Sequence, residues 1–510
     1  MKVRLMHRDR DFDPAAGLPP SADALIEDLS LDILFDAMSA GDRVVRLVSR
    51  SAILLGLGGP AEIRYRQEVL SDSLRQPAVV RELYAIAVAA IEVERQIWFY
   101  SPRSPDSLLT RSVDVIEKLM DALRRLRAIA DARAVEVESE GFRRLFSEIA
   151  AELDDRFLGE VEGHLRRLRL RDGVLMSATL GPGNRGTDYV LRRRIRKPSW
   201  RERIGLQEPD TYVYQLDPHD ESGARAMGDL RGRGVALAAD AVARSTDHIL
   251  SYFVQLRTEA AFYIGCLNLA DVLSRKGEPV CLPEPRPTGT PELTTLGLYD
   301  VCLSLSVPGR VVGNDIDADG KALVVITGAN RGGKSTFLRS LGIAQLMMQT
   351  GMFVPADTFR ADARRGVFSH FRREEDASLK SGKFDEELSR MSAIVDQVAP
   401  GSLLLLNESF ASTNEREGSE IARQVVRALV DGGVKVAYVT HLFDLADGLA
   451  HDDRPDALFL RAERLADGRR TFRLVEGPPL PTSHGEDVYR RVFDVGDTAR
   501  RPEPVATQSP

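Results

Sequence analysis

Long apolar runs are missing from this sequence of 510 residues. No stretch approaches the roughly 18 apolar residues of a membrane span, and the start, "MKVRLMHRDRDFDP", has nothing like the apolar core of a secretory signal. A cytoplasmic location with no membrane partner is therefore expected. Cysteine is scarce as well. Cys266, Cys281 and Cys302 include no CxxC pair, which argues against a disulfide framework and against a zinc site, and they read as core thiols. Positive charge is in deficit: 69 Lys and Arg against 76 Asp and Glu give a formal net charge of −7, so any nucleic-acid site has to be local. What is present is the composition of a globular protein, with 43% hydrophobic and 28% charged residues. At about 150 residues per domain the length predicts roughly three units.

Residues 1–24 read as an N-terminal tail, and 25–285 as an all-α domain carrying a small β-rich or irregular insert at about 172–225. Apolar residues recur at helical spacing, as in Ile116, Leu119, Met120 and Leu123, and again in Phe142, Leu145, Phe146, Ile149 and Leu153. "YSPRSP" (100–105) breaks the pattern, because two prolines so close cannot sit inside a helix. "GVLMSATLGPGNRGTDYVL" alternates Gly and Pro turns with short β-favouring runs, and helical spacing resumes near Gly234, giving one arm out, a tip and one arm back. "EPVCLPEPRPTGTPEL" (278–293) reads as a Pro-rich linker. Residues 286–495 then alternate strand-like runs ("ALVVITG", "SLLLLNE", "KVAYVTH") with helical segments, which predicts an α/β domain with parallel strands, and 496–510 reads as a disordered tail.

"VVITGANRGGKST" fits GxxxxGKS with Gly328, Gly333, Lys334 and Ser335, after an apolar strand and before a helical run, the context that a phosphate-binding loop requires. Glycines let backbone amides approach phosphates, and the helix N-terminus adds its dipole. Lys334 reaches the terminal phosphates and the Ser335 hydroxyl can ligate magnesium. The nucleotide-binding set is Gly328, Asn330, Gly332, Gly333, Lys334, Ser335 and Thr336; a Gly-rich turn with an incidental lysine is the bland alternative. About seventy residues on, "LLLLNES" places Glu408 to orient or deprotonate an attacking water. Asn407 stands where a second carboxylate would support magnesium; it can accept a hydrogen bond from a metal-bound water but carries no charge. "NES" could also merely cap the next helix.

"EEDASLKSGKFDEELSRM" (374–391) combines Ser, Gly and Lys ahead of a helix, suited either to meeting a γ-phosphate or to a solvated charged face. His441 follows another strand in "YVTHLF", a position that a near-core histidine also takes. "RRRIRKPSWRER" (192–203) packs Arg192, Arg193, Arg194, Arg196 and Lys197 with Tyr189 and Trp200 nearby, as a DNA contact or as a solvated basic loop.

Taken together, "TGANRGGKSTFLR" with Asn330, "GMFVPA" (351–356), "LLLLNES" with Thr413 and Gly418, "THLFDLA" and "SHGEDVY" (483–489) resemble the ATPase domain of the MutS family of DNA mismatch-repair proteins, itself related to ABC-type ATPases. Weaker similarity to the family's core and lever region is carried by "LSLDILFDAMSAGD" and "RYRQEVLSDSL". The resemblance implies a P-loop (ABC-type) ATPase domain C-terminal to a helical core/lever domain with a clamp-like insert. It implies ATP and magnesium as cofactors, with Ser335 and Asn407 at the metal. It further implies a homodimer in which Ser381, Gly382 and Lys383 reach the nucleotide of the other copy, with Glu408 as general base and His441 sensing the γ-phosphate.

The departures from the family are informative. No room for the mismatch-reading and connector domains is expected before residue 25, the "FSE" at 146–148 falls in a packing seam, and the family's C-terminal dimerisation helices are not expected. If Phe384 aligns with the family's Phe, Gly382 takes the usual serine's place and Ser381 lies one residue earlier, leaving open which atom meets the γ-phosphate. Asn407 replaces the family's Asp. The expected function is a slow, magnesium-dependent, DNA-binding ATPase directed to a structure or end rather than to a mispair. The alternative is an ATP-switched protein-interaction module with little or no DNA binding.

Overall fold

Helix capping sets out the first half of the chain. In the computed structural model, Ser104 and Ser107 form a reciprocal capping box at the start of Pro105–Arg133, Ser139 caps Glu140–Glu152, and Asp154 caps Asp155–Leu168. The structure describes residues 1–97, 104–171, 173–184, 186–192, 215–217, 219–373, 382–452, 454–465 and 469–480. It divides into two compact units. One comprises Met1–Leu5 and the described residues of Ala78–Ala260; the other comprises Met6–Pro77 and the described residues from Ala261 onwards.

In the first unit the seams pack as their spacing requires. Leu109, Val113, Ile116, Leu119, Met120 and Leu123 are buried along Pro105–Arg133, against which Glu140–Glu152 lays Phe142, Leu145, Phe146 and Ile149. Phe146 is a core residue, 5.6 Å from Phe142 between ring centroids. The insert is an antiparallel hairpin of Met176–Leu180 with Gly186–Leu191, and helix has resumed by Glu221, so the insert ends before 225. Residues 1–5 are not a free tail. Val3 and Leu5 are buried and the Leu5 amide donates to Glu259 Oε2 at 2.5 Å, because alternating apolar side chains have a core to enter.

The second unit holds a six-stranded sheet. Its parallel strands run in the order Ala457–Arg464, Leu323–Thr327, Lys435–Val439, Leu403–Asn407 and Val367–Phe371, with Arg470–Glu476 added antiparallel at one edge. The unbroken burial of three of these strands, Leu323–Thr327, Val367–Phe371 and Lys435–Val439, is the mark of a sheet covered on both faces. The helix Lys334–Gln349 is buried from Phe337 to Gln349 except at Arg339, so it needs cover on its outer side too. Ala22–Leu29 and Arg43–Leu55 supply that cover. A Cβ on Gly342 would lie 2.4 Å from Leu405 and 3.2 Å from Leu29.

Residues 6–77 thus group with the sheet rather than with a helical domain beginning at 25, contrary to the sequence reading. The supposed linker at 278–293 is also structured. Glu284–Arg286 joins a four-stranded sheet by pairing parallel with Thr358–Asp362, and Pro285 is tolerated because the strand lies at the edge. Among the described residues no helix is long and apolar enough to cross a membrane, and all three cysteines are free thiols, with Cys266 and Cys302 buried and Cys281 partly so.

Candidate functional site

Three strands of the large sheet end side by side, and each delivers a residue of interest. Leu323–Thr327 runs into Gly328, Leu403–Asn407 into Glu408, and Lys435–Val439 into Thr440 and His441. Two backbone bonds beyond the strands fix the convergence: Glu408 N donates to Val439 O at 2.8 Å, and Thr440 N to Ile326 O at 3.1 Å. The carboxyl ends of parallel strands are where ligands bind in such sheets.

The loop at 328–335 has no space for side chains where the sequence has glycine. A Cβ on Gly332 would lie 2.7 Å from Ala462 Cβ, while Gly328 (φ +109) and Gly333 (φ +93) hold left-handed conformations. Gly333 is the N-cap of Lys334–Gln349, so the amides of that helix's first turn face the loop. Lys334 is 5% exposed and its ammonium donates to Gly328 O at 2.9 Å and Ala329 O at 3.1 Å. Burial lowers its pKa, against the pull of Glu408, which raises it.

Ser335 and Asn407, 72 positions apart in sequence, are joined directly: Ser335 Oγ donates to Asn407 Oδ1 at 2.8 Å. Glu408 stands next to them at φ +54, a left-handed conformation that a non-glycine residue keeps only where its surroundings enforce it. His441 Nδ1 lies 3.8 Å from Glu408 Oε1, so the imidazole faces the carboxylate at the outer edge of hydrogen-bonding reach. That interaction is the largest influence holding the Glu408 carboxyl below its usual range; burial opposes it, and Lys334 and Arg372 reinforce it. Two cavities flank the loop. One of about 350 Å³ is lined by Tyr299, Arg310, Val312, Thr336 and Phe472; one of about 190 Å³ is lined by Thr327, Glu415, His441 and Phe443.

The residues fit a nucleotide phosphate group: amides, an ammonium and a hydroxyl converge where a Cβ would intrude. For magnesium the protein offers Ser335 and Asn407. Among the described residues no cluster of three His, Cys, Asp or Glu could hold a metal ion. Gly382 and Lys383 are exposed at the start of the helix Lys383–Val395. Arg192, in the other unit, is exposed and its guanidinium donates to Ser177 Oγ at 2.8 Å. Ser381, Arg193, Arg194, Arg196, Lys197, Trp200 and the "SHGEDVY" stretch lie outside the described residues.

Comparison with known proteins adds the family. The profile of the MutS2 N-terminal domain matches residues 59–276, and that of MutS domain V matches residues 324–491. The chain belongs to the MutS-related family. It is 36% identical over 139 residues to a DNA mismatch repair protein MutS of Chloroflexus aurantiacus, covering 26% of this chain and 14% of that protein. It is 30% identical over 209 residues to an endonuclease MutS2 of Lacticaseibacillus casei, covering 40% of this chain and 26% of that protein. With MutS protein homolog 4 of Mus musculus the identity is 29% over 171 residues, 33% of this chain and 17% of the relative. The matches thus span at most 26% of the length of these relatives.

The MutS-related loop has neighbours that its motifs do not announce. Arg331 takes φ +60 within the loop, and Phe472 takes φ +62 on the edge strand beside Gly333. Asn314 holds that strand in place, donating to Phe472 O at 3.2 Å and accepting from Leu474 N at 2.7 Å. Asp300 caps the helix Val301–Ser306 and pairs with Arg339 at 2.7 Å on the outer side of the loop helix. Asp300 alone had a sequence signal, as a helix cap; nothing in the sequence marks a left-handed Phe472.

Proposed function

We propose that the chain is a magnesium-dependent ATPase of the MutS-related family that acts on DNA as a homodimer and is directed to a DNA structure or end rather than to a mispair. The observation that carries this reading is the contact between Ser335 of the phosphate loop and Asn407 beside Glu408, which brings nucleotide-holding and water-activating groups into one site.

Lys334 and the amides of the loop bind the β- and γ-phosphates and offset charge as the terminal phosphoryl leaves. Ser335 and Asn407 would hold a magnesium ion, which would supply further charge neutralisation at the phosphates. Glu408, its carboxyl held below the usual carboxylate range, orients the attacking water and takes its proton. His441 stands 3.8 Å from that carboxylate and lines the cavity beside Thr327 and Gly328, which supports a role next to the γ-phosphate. With one carboxylate where the family has two, slow turnover and a raised magnesium requirement are expected. The exposed helix start at Gly382–Lys383 supports presentation to a second copy's nucleotide. For DNA the support is the basic run 192–203 and the name of the Chloroflexus relative.

The test is ATP turnover by the purified protein with magnesium, alone and with duplex, branched and single-stranded DNA. Turnover is expected to rise with DNA, most with a branched form, and to fall by about a hundredfold or more in Glu408→Gln. A wild-type protein without ATPase activity retires the catalytic reading. Activity indifferent to every DNA favours an ATP-switched protein-interaction module instead.

A further inference from the structure

Directly behind Glu408 lies a buried polar cluster that phosphate chemistry does not use. His370, on the strand Val367–Phe371, is 0% exposed, and Glu387, one turn into the helix Lys383–Val395, is 5% exposed. Between them run Ser409 and Phe410, the two residues after Glu408. His370 Nε2 donates to the Glu387 backbone carbonyl at 3.1 Å; because that carbonyl only accepts, the ring proton sits on Nε2. Burial, the main cause, lowers His370 to about 4, so at neutral pH Nδ1 is an acceptor. The Ser409 hydroxyl lies 2.7 Å from Nδ1 and 2.7 Å from the His370 carbonyl, and shares its one proton between them. Tyr438 OH donates to Ser409 O at 2.5 Å, and the Phe410 amide donates to Glu387 Oε1 at 3.0 Å.

These bonds hold an unusual backbone. Glu408 (φ +54) and Phe410 (φ +64) are both left-handed, a conformation that persists only when the surroundings over-determine it. The Phe410 ring stacks on His370 with centroids 6.0 Å apart. The Phe410 carbonyl faces Gly418, where a Cβ would lie 2.3 Å away. Glu387 Oε2 is buried with no hydrogen-bond partner among the described residues, a cost that an apolar residue would avoid, so Glu387 is not there for packing alone.

We infer that Glu387 and His370 are positioning residues for the Glu408 carboxylate: they fix the left-handed turn on which it stands and tie that turn to the helix beginning at Lys383. The inference rests on the reading of Glu408 as the hydrolytic base. Arg390 Nη2 donates to Phe371 O at 3.0 Å and Arg372 N to Asn407 O at 3.0 Å, so helix, strand end and base form one bonded piece. Whatever shifts the helix start therefore re-aims the carboxylate.

The experiment compares Glu387→Ala, Glu387→Gln and Ser409→Ala with wild type for kcat, KM for ATP, equilibrium ATP affinity and melting temperature. Glu387→Ala is expected to lower kcat about ten- to a hundredfold with KM and affinity unchanged, because misplacing a reacting group by a fraction of its reach costs that much. Glu387→Gln keeps the acceptor for the Phe410 amide and is expected to restore most of kcat. Ser409→Ala, the milder change if Glu387→Ala proves too unstable, is expected to lower kcat severalfold, again without moving KM. Combined with Glu408→Gln, Glu387→Ala is expected to cost nothing further, since both act through one carboxylate. A wild-type kcat in both Glu387→Ala and Ser409→Ala overturns the inference, as does a loss in affinity matching the loss in kcat, or a full additive loss in the double variant. Absence of turnover in wild type instead strikes the reading of Glu408 itself, and the two failures are distinguishable.

Discussion

Around the phosphate loop, position is everything: Lys334, Ser335, Asn407 and Glu408 meet within hydrogen-bond or charge reach, and three non-glycine residues there, Arg331, Glu408 and Phe472, hold left-handed conformations. In the helical unit the working unit is a face rather than an atom. Along Pro105–Arg133 the buried residues are spread over the whole 29-residue helix, and its neighbour contributes Phe142, Leu145 and Phe146 in the same periodic way. The difference teaches where each half is vulnerable. A single atom decides the chemistry of the first, whereas the second loses stability gradually with buried area.

The largest effect that sharpens this contrast is expected in the helical unit's core. Phe142→Ala removes a ring that is 1% exposed and is expected to cost about 3–5 kcal/mol in the stability of that unit, read by thermal or denaturant melting. ATP affinity of the still-folded protein is expected to stay within about twofold of wild type. A matching loss of ATP affinity at temperatures where the fold persists breaks the comparison.

An intermediate effect is expected in the pH profile. His441 is the main cause of the lowered Glu408 pKa, and a base works only when ionised, so kcat/KM of wild type is expected to hold on acidification until below the usual carboxylate range. His441→Ala is expected to move that acid limb towards higher pH. The sign for stability follows the same shift: a carboxylate with a depressed folded-state pKa contributes stability above its unfolded value and loses it as pH falls through the folded value. An acid limb that stays put in His441→Ala removes His441 from the site's electrostatics.

The smallest effect is expected at Asn407. Replacing it with Asp restores a charge beside Ser335, and the magnesium concentration for half-maximal rate is expected to fall severalfold. An unchanged requirement places Asn407 away from the ion.

The loop was legible because its chemistry is contiguous: three glycines, Lys334 and Ser335 lie within eight positions between an apolar strand and a helix. The helical seams were legible because period shows in apolar spacing. What stayed hidden depends on contacts between distant residues. The grouping of residues 6–77 with the sheet follows from the all-round burial of Lys334–Gln349, which a single-face reading misses. Glu284–Arg286 was masked by its prolines, which suit a linker as well as an edge strand. Glu387 lay in a segment read for its phosphate-facing start, and His370 had no motif around it, since a buried polar pair leaves no periodic trace.

Lys334 carries a consequence for affinity. Its ammonium is largely buried and bonded to two carbonyls of its own turn, so on the proposed reading an arriving triphosphate would trade those partners for its oxygens instead of dehydrating a solvated cation. Much of the dehydration cost is settled during folding, and the net gain on capture is the difference between two sets of bonds. On that reading, nucleotide occupancy would be tuned by the geometry of Gly328 and Ala329 as much as by the charge of the lysine.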